Sequence, residues 1–182
     1  MVRNIIILFC STIFIYSCAQ TRRLENGTKV LVKKFKNIDK FNESILENIS
    51  TDYFYKKIDY YMADKNFSKI RDVGSDIDRS LQFYPNGRVR LFGARKNDPN
   101  PEISGRRGVI YLKNGNLRID TQGASQDGDI FKITFKVRVE GDKIYLLEVS
   151  NALLFEPSEY TCFVYQKSEK IPENWKNYKA DW

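Results

Sequence analysis

The sequence contains no histidine. That absence removes the commonest general base and the commonest metal ligand together, so hydrolytic chemistry would have to run on carboxylates, lysine or a thiol. Cysteine is scarce, with Cys10, Cys18 and Cys162 only. Cys162 sits mid-strand between Thr161 and Phe163, with no histidine to activate it and no helix N-terminus expected beside it, which favours a buried, inert thiol. No apolar run reaches the roughly 20 residues of a spanning helix; Ile5 to Tyr16 has twelve. No repeat of solenoid period is present. Basic side chains are spread thinly from Arg22 to Lys179, without the dense patch that nucleic acid requires. Asp127 and Asp129, in "SQDGDIF", lack the oxygen-ligand series and closing Glu of a calcium loop, and Asp-Gly is an ordinary turn. No metal or cofactor is expected.

What is present begins with "IIILFCSTIFIYSCAQTRR", residues 5–23. Arg3 supplies a positive start, Ile5 to Tyr16 an apolar stretch of signal-peptide length, and Ser17 a small residue where a peptidase needs one. The tetrad Ile15-Tyr16-Ser17-Cys18 resembles a bacterial lipobox, with an aliphatic residue three before the cysteine and a small one just before it; Tyr16 departs from the small residue usual at the middle position. On this reading Cys10 leaves with residues 1–17, Cys18 carries lipid, and Cys162 is the one remaining free thiol, so no intramolecular disulfide can form. Alternatives are a plain secretion signal cut near Ala19, or an uncleaved anchor. Removing residues 1–17 from 182 leaves 165, enough for one domain with an ordinary hydrophobic core. The net charge of +7 falls to +6 with the loss of Arg3. Its sign suits anionic lipid, lipopolysaccharide or acidic glycan, and a solvated basic surface is the plainer explanation.

Residues 18–36 read as a polar, basic tether with a first strand at Val30 to Phe35, and 37–182 as a single domain. Ile38, Phe41, Ile45, Leu46 and Ile49 fall at helical spacing behind Asn37 as N-cap, which predicts one amphipathic helix packed on the core. "YFYKKIDYY" is a strand, and 63–79 has no assignment. Thereafter alternation is regular. Pro85-Asn86-Gly87 turns "LQFYPNGRVRL" so that Leu81, Phe83, Val89 and Leu91 share a face, opposite Tyr84, Arg88 and Arg90. Asn114-Gly115 turns the next hairpin, aligning Ile110, Leu112, Leu117 and Ile119. In "IFKITFKVRVE", Phe131, Ile133, Phe135, Val137 and Val139 alternate with Lys132, Thr134, Lys136, Arg138 and Glu140. A turn at Gly141-Asp142 pairs Val139 with Ile144, Val137 with Leu146 and Phe135 with Glu148, which puts a carboxylate on the inner face.

About eight antiparallel strands with short links, counted from Tyr53, predict a mainly β fold, an up-and-down barrel preceded by that helix; closure removes sheet edges. The order of parts, with lipobox, helix, "FYPNGRV", a Pro/Gly loop, "GVIYLKNGNLRI" and a Tyr-rich last strand ending "VYQK", resembles the small lipocalin-like lipoproteins of the Bacteroidetes over roughly residues 38–167. The Gly-x-Trp of true lipocalins is missing. The resemblance implies a lipocalin-like barrel in the cell envelope, lipid-anchored and at the outer membrane facing the periplasm. It offers no catalytic residues, and the chain is expected not to be an enzyme.

Two functions fit. Either the barrel binds a small apolar or amphipathic ligand, lined from Phe83, Val89, Leu91, Ile110, Leu112, Leu117, Ile119, Phe131, Ile133, Phe135, Ile144, Leu146 and Glu148, or it is filled by side chains and its loops bind another envelope protein. A lipid- or carbohydrate-cleaving enzyme comes third. In the loop "GARKNDPNPEISGRRG", Arg95, Lys96, Arg106 and Arg107 could converge at a barrel mouth to meet an anion or an acidic partner; a solvated loop is the plainer reading. The tail "IPENWKNYKADW" spaces Trp175, Tyr178 and Trp182 for a short terminal helix capping the barrel.

Acyl anchoring at Cys18 makes membrane association depend on that residue alone. In cell fractionation, Cys18→Ala is expected to release the protein from the membrane and Cys10→Ala to leave it there; membrane association and N-terminus unchanged in Cys18→Ala would contradict the lipobox reading.

Overall fold

Each hairpin that the alternation marked is formed, in the expected register. The computed structural model describes residues 21–25, 27, 29–31, 35–74, 78–93, 98–124, 129–149 and 157–182; Cys10, Cys18, Arg95, Lys96 and Asp127 lie outside them. Two short strands, β1 (Thr21–Arg23) and β2 (Lys29–Leu31), form a hairpin of their own. Nine more follow: β3 (Tyr53–Ala63), β4 (Lys69–Asp72), β5 (Ser80–Phe83), β6 (Arg88–Phe92), β7 (Arg106–Lys113), β8 (Asn116–Ala124), β9 (Ile130–Glu140), β10 (Lys143–Val149) and β11 (Tyr160–Lys170). All their pairings are antiparallel. From β5 to β11 each strand pairs with the next, and β11 returns to pair with β3, closing an eight-stranded up-and-down barrel of β3 and β5–β11. Strands β4 and β5 share one edge of β3, β4 against Tyr61–Ala63 and β5 against Tyr55 and Lys56. The unassigned stretch 63–79 thus contains β4.

One end of the barrel carries the tight turns. Gly87 (φ 77°), Asn114-Gly115 (φ 52° and 73°) and Gly141 (φ 56°) all adopt left-handed backbone there, as two- and three-residue hairpins demand. The same end is plugged. Ile45 and Ile49 are buried in the main core with Tyr55, Leu81, Phe83, Val89, Ile110, Ile119, Val137, Ile144 and Tyr165, and Phe41 and Leu46 pack against them. The Phe41 ring lies so close to Gly87 that a Cβ there would come within 2.4 Å of it, so this position excludes a side chain on two grounds.

The single helix expected over 38–49 is not formed. Two 3₁₀ turns, Lys36–Lys40 and Glu43–Leu46, stand in its place, separated by Phe41 (φ −76°, ψ 140°) and Asn42 (φ −139°, ψ 158°) in extended conformation. The apolar residues serve two surfaces, which explains the break: Ile38 packs on the outside of the barrel while Ile45 and Ile49 seal its inside. A straight helix would present them all in one direction, and the Asn, Asp and Ser residues between them support helix only weakly. Asn37 is not an N-cap; its Nδ2 donates to Asp120 Oδ2 at 2.8 Å.

The outer wall of β5–β8 is covered instead of wet. Phe35, Tyr84, Val109, Tyr111, Ala180 and Trp182 form a second buried cluster, so both ends of the described chain fold back onto the barrel. Within 18–36, Val30 is buried and Arg22 pairs with Glu102. Asp120, 2 % exposed, accepts from Tyr111 Oη at 3.0 Å and Thr134 Oγ1 at 2.7 Å as well as from Asn37. The expected terminal helix is only a 3₁₀ turn, Glu173–Asn177. Its aromatics diverge because the chain extends beyond it: Trp175 stands edge-on to Phe54 with centroids 5.2 Å apart, Tyr178 is exposed, and Trp182 Nε1 donates to Gly108 O at 2.8 Å.

Arg90 faces the same outer wall and is 0 % exposed. Among the described residues it forms no salt bridge; its guanidinium donates to the carbonyls of Asp98, Pro99, Asn100 and Ser104 at 2.8–3.0 Å and lies 4.6 Å from the centre of the Phe92 ring. A fixed fork of five donors suits such a set of carbonyls. Arg90→Met strands these acceptors and is expected to cost about 3 kcal/mol of stability, with new proteolytic cleavage at residues 98–104, whereas half-exposed Arg88→Met should cost much less. Denaturant titration of the two variants checks this, and equal small losses would contradict it.

Candidate functional site

The opposite end of the barrel is lined by the N-termini of β5, β7, β9 and β11 and the C-termini of β6, β8 and β10, where the longer connections leave. Strand parity decides what points inward. Val89 opposes Gly108 and Leu91 opposes Arg106, so Arg106 shares the inner face. Thr121 opposes Ile133, and Phe135 opposes Glu148, the register expected from the Gly141-Asp142 turn. Leu146 opposes Phe163. Arg79 enters by parity with Leu81, its carbonyl accepting from Lys57 N at 2.9 Å. On the far side β3 is kinked: Val164 pairs with Asp59 but Tyr165 with Lys57, leaving Ile58 as the extra residue, turned out to solvent at 50 % exposure.

These residues enclose a cavity of about 190 Å³ lined by Arg79, Leu91, Phe92, Gly93, Arg106, Thr121, Ile133, Phe135, Leu146, Glu148, Phe163 and Tyr165. A shallower open groove beside it shares Ile133 and Glu148 and adds Met62, Phe131, Thr161 and Glu159. Burial raises the Glu148 carboxyl above its ordinary value, and the Arg79 charge pulls it partly back. Burial likewise lowers Arg106, and Arg79 adds to the lowering by like-charge repulsion. Among the described residues, neither a salt bridge nor a hydrogen bond engages the side chains of Arg79, Arg106 or Glu148; the Arg79 guanidinium rests 5.6 Å from the Phe163 ring centre. The arrangement offers two cationic forks and one carboxylate above an apolar floor; the Thr121 hydroxyl already donates to Arg107 O at 2.9 Å.

Of the thirteen lining candidates, Leu91, Ile133, Phe135, Leu146 and Glu148 reach the cavity. Phe131 borders only the open groove and is exposed. Phe83, Val89, Ile110, Ile119 and Ile144 are locked in the packed core, with Leu112 and Leu117 against them toward the sealed end. The basic cluster divides, because neighbours on a strand face opposite ways: Arg106 points into the cavity, while Arg107 pairs with Glu102 on the outer wall, 5.4 Å from the Trp182 ring centre. Cys162 is on the outer face among Tyr61, Tyr160 and Leu147, its thiol pushed up to about 11 by burial, which leaves it unreactive. Among the described residues, no group of His, Cys, Asp and Glu could hold a metal, and no helix is long and apolar enough to cross a membrane.

Arg79, Thr121, Phe163 and Tyr165 were not singled out from the sequence. Thr121 was within reach, two residues beyond Ile119 on one alternating strand, and Phe163 and Tyr165 alternate in "YTCFVYQK". Arg79 lay hidden in the unassigned stretch. Fold and cavity together define an all-antiparallel, closed eight-stranded β-barrel, consistent with a lipocalin-like fold, with one end sealed and the other open and charged. No protein-family model matches the chain, nor does any curated protein or solved structure.

The raised Glu148 carboxyl has a consequence for stability. The folded protein holds this proton more tightly than the unfolded chain, so ionisation of Glu148 destabilises the fold as pH rises through the two values. Glu148→Gln is expected to raise the melting temperature at neutral pH and to lose that advantage in acid, below the ordinary carboxylate value. A pH-independent difference in thermal melts would contradict the burial of the charge.

Proposed function

We propose that this chain is a non-enzymatic envelope lipoprotein of the lipocalin-like kind, tethered to the membrane through Cys18 and binding a small amphipathic ligand in the open end of its barrel. The observation that carries the ligand reading is the cavity itself, where apolar walls meet half-buried Arg79 and Glu148 and rim-exposed Arg106, none of them in an ion pair or hydrogen bond with the described residues. Half-buried charge without a direct partner is unfavourable, and a ligand that completes the set would relieve it. Its size bounds the ligand: at about 190 Å³ the cavity is smaller than the roughly 300–1,000 Å³ of drug-sized sites. The anchor and the outer-membrane location rest on the N-terminal sequence.

A second reading has its own support. Side chains fill the barrel from the plug at Ile45 and Ile49 up to Phe135 and Leu146, as in small barrels without cargo, and Phe131 and Ile70 are exposed. A structural lipoprotein that docks another envelope protein through its loops would look the same below the cavity.

Native mass spectrometry of the protein purified from its own cells separates the two. The expected spectrum shows a small-molecule adduct that is lost on denaturation and is absent from Leu146→Trp, which fills the cavity. A spectrum with no adduct, or with an attached protein alone, would reject the ligand reading.

A further inference from the structure

We infer that the open-end cavity is built for an amphiphile with a small, singly charged oxyanion head, a carboxylate above a short alkyl chain, seated between Arg79 and Arg106. This rests on the ligand-binding reading and names the chemistry of the ligand.

Among the described residues, Arg79, Arg106 and Glu148 are the lining residues charged at neutral pH, and together they carry a single net positive charge. A cation entering would face two guanidinium groups, half-buried Arg79 and Arg106 exposed at the rim, and a neutral molecule would leave both without a partner. A doubly charged phosphate would overshoot the balance, whereas one carboxylate meets it. Geometry agrees. A guanidinium fork matches the two oxygens of a planar carboxylate, and two forks can share them.

The positions of the two arginines supply the second step. Arg79 precedes β5 and Arg106 begins β7, so the strand β6 stands between them in the wall, and the Arg79 charge acts on Arg106. Two like charges brought together without a carboxylate between them make an incomplete arrangement, which an anion completes. The alkyl chain has its place below. Leu91, Ile133, Phe135, Leu146 and Phe163 form the remaining wall, and the packed core closes the floor at Phe83 and Ile144. Only a short chain fits before that floor.

Glu148 faces the same space and opposes the anion. Its presence sets the expected signs of two substitutions. Removing a cation should weaken carboxylate binding, and neutralising Glu148 should strengthen it. General loosening of the barrel would weaken binding in both cases, so opposite signs identify an electrostatic seat.

The test titrates octanoate, octanol and octyltrimethylammonium into the purified full-length chain and follows the methyl NMR signals of Ile133 and Leu146, which report entry into the cavity. Octanoate should move both signals and bind roughly tenfold or more tighter than octanol, the scale of a charge-assisted pair; octyltrimethylammonium should move neither. Arg106→Gln and Arg79→Gln should each erase most of the octanoate preference and leave octanol binding in place. Arg106→Lys, which keeps the charge and loses the fork, should fall between. Glu148→Gln should tighten octanoate several-fold. Equal binding of octanoate and octanol, preference for the ammonium compound, or weaker octanoate binding in Glu148→Gln would overturn the anion seat while leaving a ligand-binding barrel. If none of the three compounds moves the signals, the anion seat and the ligand reading fall together.

Discussion

The ladder between β3 and β11 turns a meander of hairpins into a closed wall, and everything else in the molecule follows from that closure. Both strands are eleven residues long, and their pairing runs from Tyr160 opposite Ala63 to Lys170 opposite Tyr53. Without it the inner face of β9, with Phe135 and Val137, would meet water where it now packs in one core with Tyr55, Leu81 and Phe83. The kink at Ile58 adjusts the ladder to the barrel's curvature and is the reason Lys57 and Tyr60, three residues apart, both oppose inward-facing partners, Tyr165 and Phe163. Closure also leaves the barrel without the unpaired edges through which open sheets aggregate.

The two ends then diverge because their connections differ. Turns of two or three residues with left-handed glycines draw the strands together at one end, and the 3₁₀ segments lay Phe41, Ile45 and Ile49 across it. At the other end longer connections leave the strands apart, and charged side chains occupy inward positions that aliphatic residues fill lower down. Core gives way to cavity along single strands: Leu81 to Arg79 before and on β5, Ile110 to Arg106 on β7, Leu146 to Glu148 on β10. Outside, the chain ends and the Arg90-centred loop 98–104 cover strands β5–β8, which fixes the wall carrying Arg106 from behind.

Hairpins were legible in the sequence because the period of a strand and the chemistry of its turn agree there. Asn114-Gly115 and Gly141-Asp142 fixed the register of four strands, and with it the place of Glu148 opposite Phe135. The helix over 38–49 was misread because helical spacing reports which residues are apolar and not that they serve one surface; Ile38 and Ile45 lie on opposite sides of the wall. The outer wall was misjudged for a related reason. Alternation marks one face as apolar, but Arg90, Arg107 and Asp120 are polar residues buried by the chain ends, and nothing local announces that cover. Arg79 lies one residue before β5, and a charged residue at the end of an alternating apolar run reads as its boundary, so parity alone does not single it out. The residues that make the cavity more than a gap in the packing are thus mostly those that broke the pattern.

Closure can be measured directly by residue-resolved amide hydrogen exchange. The account expects amides paired between β3 and β11, Tyr61 with Cys162 and Tyr60 with Phe163 among them, to exchange as slowly as those between β8 and β9, because opening either ladder opens the same core. Exchange along β3 and β11 as fast as in a free sheet edge, with β8 and β9 still protected, would show an open sheet and contradict the barrel on which the cavity and its chemistry depend.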